Sequence, residues 1–305
     1  MKDVSKYSGV FPAFYACYDE SGEISTAGVR ALTRHLLKKG VKGLYVGGSS
    51  GECVYQSVEE RKLVLEQVME EAAGSAVVIA HVACNNTRDS RTLAAHAQDL
   101  GVDAIAAIPP IYFKLPEYAI ARYWNDISAA APDTDFIIYN IPQLAGVALT
   151  MPLLKEMRKN ERVIGVKNSS APVQDIQMFK EEGGEGFVVF NGPDEQFVSG
   201  LMAGADGGIG GTYAVMPELF IKARELFLAG DILNARALQN EICRIIYAMC
   251  AAKGNLYAVM KAILRTQGLQ LGGVRSPLCD LFAQDQEIVL ACAKRISQAV
   301  NAYTG

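Results

Sequence analysis

The chain has 305 residues, half of them apolar, and carries 33 acidic against 29 basic side chains for a net charge of −4. That length allows two ordinary domains or one α/β barrel, and the apolar half supplies a large core. Charges of both signs are scattered along the chain, which argues against a nucleic acid or an anionic membrane as partner.

The first strand candidate is GVFPAFYACY (9–18). The N-terminus before it has no uninterrupted apolar region of signal-peptide type, and no later segment reaches the length of a membrane span. A soluble, cytoplasmic protein is therefore expected. Val29, Leu32 and Leu36 recur at helical spacing, with Gly40 as the C-terminal stop. GLYVGG (43–48) reads as the second strand, and the capping box Ser57-Val58-Glu59-Glu60 starts a helix carrying Leu65, Val68 and Met69. AVVIAHVAC (76–84) is the third strand, after which Asn86, Thr87 or Asp89 caps a helix running to Leu100 before Gly101. Further strands are DAIAAIPP (103–110), DFIIYNIP (135–142), VIGVKNSS (163–170), FVVFNGPDE (187–195) and DGGIGGTY (206–213).

Eight strands alternating with helices call for parallel pairing and predict a (β/α)8 TIM barrel. An open doubly wound sheet is the competitor, and the missing G-x-G-x-x-G after the first strand weakens its dinucleotide version. From Gly230 onward, DILNARALQNEICRIIYAMCAAKG, NLYAVMKAILRTQG and DQEIVLACAKRISQAVNAY read as a C-terminal three-helix extension. No Pro- or Ser-rich linker precedes it, so residues 1–305 are expected to form one domain, with the barrel at about 8–230 and the extension at about 231–305. Seven cysteines without a C-x-x-C pair read as reduced thiols, mostly small core residues, rather than zinc ligands or disulfides.

In a (β/α)8 barrel the active site lies at the C-terminal ends of the strands. Those ends offer Gly47-Gly48-Ser49-Ser50-Gly51-Glu52, Tyr112, Tyr139, Lys167 with Ser169, Gly192 with Asp194 and Glu195, and Gly210-Gly211-Thr212, and no plausible metal cluster. A lysine at a buried strand end is desolvated, which lowers its pKa and frees the amine to attack a carbonyl and form a Schiff base. A structural lysine would pair with a carboxylate, yet no acid flanks Lys167 within RVIGVKNSS. Tyr139 ends the preceding strand. A strand-end tyrosine is as often a core residue with a wet hydroxyl, but beside Lys167 its phenol is placed to move protons. The GGSSGE turn can point backbone N–H groups and the Ser49 and Ser50 hydroxyls at one carboxylate, with Glu52 bracing the loop. His81 reads as a satisfied core histidine and His35 and His96 lie on helices; Asp194 and Glu195 suit hydroxyl binding or a helix N-terminus better than paired acid/base work. RKNER (158–162) reads as a solvated turn.

With these residues in place, the chain resembles the pyruvate-dependent class I aldolases related to dihydrodipicolinate synthase, and within them the N-acetylneuraminate lyase (sialic acid aldolase) branch. LYVGGSSGE, AHVAC, YNIP, GVKNSS, FNGPDE and ADGGIGGTY match in order over nearly the full length. The resemblance implies a barrel with a C-terminal helical region, usually a homotetramer. It implies reversible cleavage of N-acetylneuraminate to N-acetylmannosamine and pyruvate through a covalent imine, with no cofactor. It assigns the imine to Lys167, proton shuttling to Tyr139, the pyruvate carboxylate to Ser49 and Ser50, and the sugar's hydroxyl tail to Ser169, Gly192, Asp194 and Glu195. Tyr112 matches a tyrosine that approaches a neighbouring subunit's site. Dihydrodipicolinate synthases place an arginine just after Y-N-x-P, whereas Gln143, Leu144, Ala145 and Gly146 follow Pro142 here, which disfavours a dicarboxylate product. Gly211 stands where many sialate lyases have a serine contacting the sugar, Ser50 replaces a more usual threonine and Pro193 a larger residue. The alternatives are an aldolase for another 2-keto-3-deoxy sugar acid, such as 2-keto-3-deoxygluconate, and, further down, a dihydrodipicolinate synthase or a catalytically silent keto-acid-binding barrel.

Overall fold

The computed structural model describes residues 3–304. Strands and helices alternate as β1 (Val10–Pro12), α1 (Thr26–Lys38), β2 (Gly43–Val46), α2 (Val58–Ala72), β3 (Val77–His81), α3 (Thr87–Asp99), β4 (Ala104–Ala107) and α4 (Glu117–Ala129). They continue as β5 (Asp135–Asn140), α5 (Pro142–Ala145), α6 (Met151–Met157), β6 (Val163–Asn168), α7 (Gln174–Gly183), β7 (Val188–Asn191), α8 (Phe197–Met202), β8 (Gly207–Gly210) and α9 (Pro217–Leu228). Every paired strand is parallel, in the order β1-β8-β7-β6-β5-β4-β3-β2. The bridge between Ala13 and Tyr45, with Phe14 N–H donating to Tyr45 O at 2.9 Å, joins β1 to β2 and closes the ring. This is the (β/α)8 barrel that the alternation predicts, and α10 (Ile232–Cys250), α11 (Leu256–Thr266) and α12 (Gln286–Thr304) are its three C-terminal helices.

The helices begin where the sequence signals them. Ser57 and Glu60 form the reciprocal capping box of α2, and the Asn86 side chain accepts from Asp89 N at the start of α3. Val29, Leu32 and Leu36 of α1 are fully buried against the sheet. Two apolar layers result. Phe11, Tyr45, Ile79, Ala106, Ile137, Tyr139, Phe190 and Ile209 fill the barrel interior. A larger layer between sheet and helices takes in Leu238, Ile242 and Ile245 of α10 and Val259 and Ile263 of α11.

The first apolar run is strand only over Val10–Pro12. Beyond it, the residues through Tyr18 leave the ladder yet stay buried, because the extension covers them: Tyr15 lies against Met260 of α11, and Tyr18 N–H donates to Leu271 O. Only three of the seven cysteines are the core residues expected. Cys17, Cys53 and Cys292 are buried, Cys84 and Cys243 half-buried, and Cys250 and Cys279 exposed, the last two on helix and loop surface that no further layer covers; all seven are free thiols. Among the described residues, no helix is long and apolar enough to cross a membrane.

Candidate active site

Lys167 occupies the next-to-last position of β6, opposite Tyr139 of β5 and Phe190 of β7. The ladder between β5 and β6 carries an irregularity: Phe136 pairs with Val163 but Ile137 with Gly165, so Ile164 is an extra residue. Such a bulge reverses the alternation of side chains. Ile164 fills the barrel interior, and three residues later Lys167 points inward as well, its Nζ 3.9 Å from the Tyr139 ring centroid and 4.3 Å from that of Tyr45.

The residue is 4% exposed and makes no ion pair among those described. Burial lowers its pKa to about 7, although Asp194 pulls the other way by Coulomb attraction. A substantial fraction of the amine is therefore neutral, and nucleophilic, near neutral pH. Burial pushes the Tyr139 phenol up to about 12, while the Ser169 and Ser49 hydroxyls beside it act in the opposite direction.

Around these two groups lies a cavity of about 260 Å³, lined by Ser49, Ser50, Tyr139, Lys167, Ser169, Gly192, Pro193, Asp194, Glu195 and Gly211 together with Ala13, Ile141, Leu144, Ile209 and Tyr257. Every residue singled out from the strand ends as catalytic or substrate-binding is thus brought together, except Tyr112. That side chain is 89% exposed, has φ +88° and stacks edge-on against Phe113 outside this cavity. Within one chain Tyr112 does not reach Lys167, because the segment after β4 runs outward across the surface toward α4.

The Ser49–Ser50 turn is built by its glycines. Gly47 takes φ +77°, and a Cβ on Gly48 would stand 2.6 Å from the Tyr45 ring. A short 3-10 turn over Ser49–Gly51 follows. On the opposite wall Gly192 is equally constrained: an added Cβ would meet the Ser169 hydroxyl at 2.0 Å and Asn168 O at 2.7 Å. Gly192→Ala is expected to displace Ser169 from the Tyr139 phenol, costing about 1–3 kcal/mol of stability as overpacking does and lowering turnover at least roughly tenfold. Thermal melts and steady-state rates on the purified variant check both effects.

Asp194 and Glu195 diverge, the first buried and the second exposed. Oδ2 of Asp194 accepts from both the N–H and the hydroxyl of Thr212 at 2.6 Å, so this carboxylate fixes the loop after β8 while lining the cavity. Burial raises its pKa to about 6, against the pull of the Thr212 hydrogen bonds.

Three groups hold residues that were not singled out from sequence: the strand-end asparagines, Tyr257, and Tyr45 beside His81. Asn140, Asn168 and Asn191 stand in register at three successive strand ends, with Asn140 Nδ2 donating to Asn168 Oδ1 at 2.7 Å and Asn168 O accepting from Gly192 N–H at 2.7 Å. The dipeptides Y-N, K-N and F-N carry that signal. Tyr257 enters from α11, its phenol beside the Ser50 hydroxyl. Tyr45 and His81 form the floor under Tyr139, with ring centroids 5.9 and 6.0 Å from it. His81 Nδ1 lies 2.9 Å from Gly47 O, but its buried Nε2 has no partner, so this core histidine is only half satisfied.

Among the described residues the cavity lining holds no cation except Lys167, and no group of three or more His, Cys, Asp or Glu is arranged to hold a metal. The model of the dihydrodipicolinate synthetase family matches residues 6–296. The chain belongs to the dihydrodipicolinate synthetase family. An N-acetylneuraminate lyase of Mediterraneibacter gnavus is 65% identical over 300 residues, covering 98% of this chain and 95% of that protein. The N-acetylneuraminate lyase of Escherichia coli K12 is 35% identical over 271 residues, 89% of each chain. A solved structure of Ruminococcus gnavus sialic acid aldolase, a catalytic lysine mutant, superposes with TM-score 0.99 at 63% identity and covers 99% of this chain and 100% of its own. Membership in this family of class I aldolases agrees with a buried amine brought to about pKa 7 in a cavity whose lining, among the described residues, holds no other cation.

Proposed function

We propose that this chain is a class I aldolase that cleaves N-acetylneuraminate reversibly to N-acetylmannosamine and pyruvate, with Lys167 as its Schiff-base residue. The observation that carries the reading is a fully buried amine brought to about pKa 7, placed between the Tyr139 phenol and a glycine-serine turn. Lys167 Nζ attacks the C2 ketone of the open-chain sugar acid, and loss of water with uptake of one proton from solvent leaves an iminium. The substrate carboxylate sits on Ser49 and Ser50. Tyr139, protonated at rest, passes its proton through the adjacent Ser49 hydroxyl to the substrate carboxylate held there as it takes the one on the C4 oxygen. The C3–C4 bond then breaks with its electrons flowing to the iminium, giving an enamine that is reprotonated at C3 and hydrolysed to pyruvate.

Ser169, Gly192, Asp194, Glu195 and Gly211 line the wall that the polyol tail would occupy. Leu144 lines the cavity, and none of Gln143, Leu144, Ala145 and Gly146 after Pro142 offers a cation for a second carboxylate. The imine supplies the electron sink, so no cofactor is required and activity should survive chelators. We assign the protein to the cytoplasm and to a homotetramer in which a neighbouring copy offers Tyr112 to the cavity. The exposed aromatic patch of Tyr112, Phe113 and Tyr118 supports that assembly. The barrel and its extension are read as one domain that unfolds in a single transition.

The test is borohydride reduction during incubation with N-acetylneuraminate, followed by peptide mapping. A pyruvyl adduct on Lys167 is expected. An adduct formed only from free pyruvate or from 2-keto-3-deoxygluconate would overturn the sialate assignment, and no adduct from any of them would leave a silent binding barrel.

A further inference from the structure

Helix α11 belongs to the extension, yet two of its side chains one turn apart, Tyr257 and Lys261, reach the two ends of the turn carrying Ser49 and Ser50. Tyr257 meets Ser50 at the cavity. Lys261 passes behind the turn, where its Nζ donates to Glu52 Oε1 at 2.7 Å and to Gly273 O at 2.6 Å. The two charged side chains are 1% and 0% exposed, and neither lines the cavity. The other Glu52 oxygen, Oε2, accepts from Arg275 N–H at 2.8 Å.

Glu52 is also a backbone exception. It holds φ +52°, ψ +33°, a left-handed conformation that disfavours a side-chain-bearing residue, and its N–H closes the turn on Ser49 O at 2.9 Å. A strained hinge at the end of the carboxylate turn is thus held by a buried ion pair anchored 209 residues away. Burying both charges costs desolvation that an apolar pair of equal volume would avoid, so net stability is a poor account of the pair. What charges supply is a single geometry: one ammonium position satisfies Glu52 and Gly273 together.

We propose that the Lys261–Glu52 ion pair is a positioning device for substrate carboxylate recognition, through which the C-terminal extension sets where Ser49 and Ser50 stand. The inference rests on the reading of that turn as the carboxylate site and of Lys167 as the imine residue. It separates two quantities: affinity for keto acids depends on the pair, whereas the reactivity of Lys167 toward a carbonyl without a carboxylate does not.

The experiment traps imines at Lys167 with borohydride, over a range of pyruvate concentrations and separately with acetone. It compares the native sequence with the double variant Glu52→Gln/Lys261→Met, which leaves no lone buried charge. In the folded double variant, half-saturating pyruvate is expected to rise tenfold or more, while trapping by acetone changes less than threefold. Equal half-saturation, or equal losses with both carbonyls, would overturn the positioning role. Should the double variant not fold, Lys261→Arg keeps the charge but displaces it from Gly273, and the same split or its absence decides. If the native protein forms no pyruvate adduct, the active-site reading itself falls, and if Ser50→Ala leaves half-saturating pyruvate unchanged, the carboxylate site is elsewhere; both outcomes are distinct from a failure confined to the ion pair.

Discussion

Lys167→Met is expected to reduce turnover of the proposed sugar acid by roughly four orders of magnitude or more, the scale seen when an enzyme's covalent nucleophile is removed. It should also abolish the borohydride-trapped adduct. No neighbour can take over, because the cavity lining holds no second amine. In the native protein, imine formation should gain rate as pH rises and level off above the pKa of about 7, since only the neutral amine attacks. A profile of trapping rate against pH measures this, and a midpoint near 10 would contradict the desolvated environment described for β6.

The same substitution should stabilise the protein. The native lysine has its pKa lowered from 10.5 to about 7, so below pH 7 both folded and unfolded states carry the proton and the folded state bears the full cost of a buried charge. Between pH 7 and 10.5 the unfolded chain holds one more proton than the folded one, so this contribution makes native stability rise with pH. Methionine removes the cost, worth about 3–5 kcal/mol below pH 7, and with it the pH slope. The gain in Tm should therefore be largest below pH 7 and vanish near pH 10.5. Equal Tm values at pH 6.5 would place Lys167 in a better-solvated site than its burial indicates.

That lysine was legible because its chemistry and its surroundings conflict within six residues: an ammonium ends an apolar strand with no acid nearby. The fold was legible for a related reason. Parallel strands buried on both faces read as continuous apolar runs, and glycines and caps punctuate them. The lengths of those runs were a poorer guide, since burial under the extension extends apolar character beyond the ladder, as at Tyr15 and Cys17. What pattern could not deliver was long-range. Tyr257 and Lys261 sit on an amphipathic helix where they look like ordinary helix residues, and only tertiary packing brings them to a turn some two hundred positions earlier. The bulge at Ile164 was equally hidden; simple alternation puts Ile164 and Lys167 on opposite faces, and one inserted residue reverses that. Tyr112, a little past its strand in sequence, turns its side chain to the surface, and a role toward a neighbouring copy is set by assembly, which one chain's pattern does not carry.

Tyr139→Phe should separate the two halves of the reaction. The phenol sits opposite Lys167 across one ladder step, and its ring lies 3.9 Å from the ammonium nitrogen, a contact that phenylalanine retains. Amine desolvation and the shape of the floor against Tyr45 and His81 should therefore persist, and trapping of pyruvate at Lys167 should fall by no more than about tenfold. Carbon–carbon cleavage needs a proton taken from an oxygen whose own pKa is far above neutrality, and a positioned acid/base contributes about 10²–10⁴-fold to such a step. Single-turnover cleavage should fall by that factor, so that imine accumulates where the native enzyme proceeds to product. Intact substrate found covalently attached to Lys167 after reduction would be the direct sign. If trapping and cleavage fell together, Tyr139 would instead serve imine formation, and proton transfer at the C4 oxygen would have to be reassigned among the groups that remain in the cavity, Ser169 and Tyr257 first.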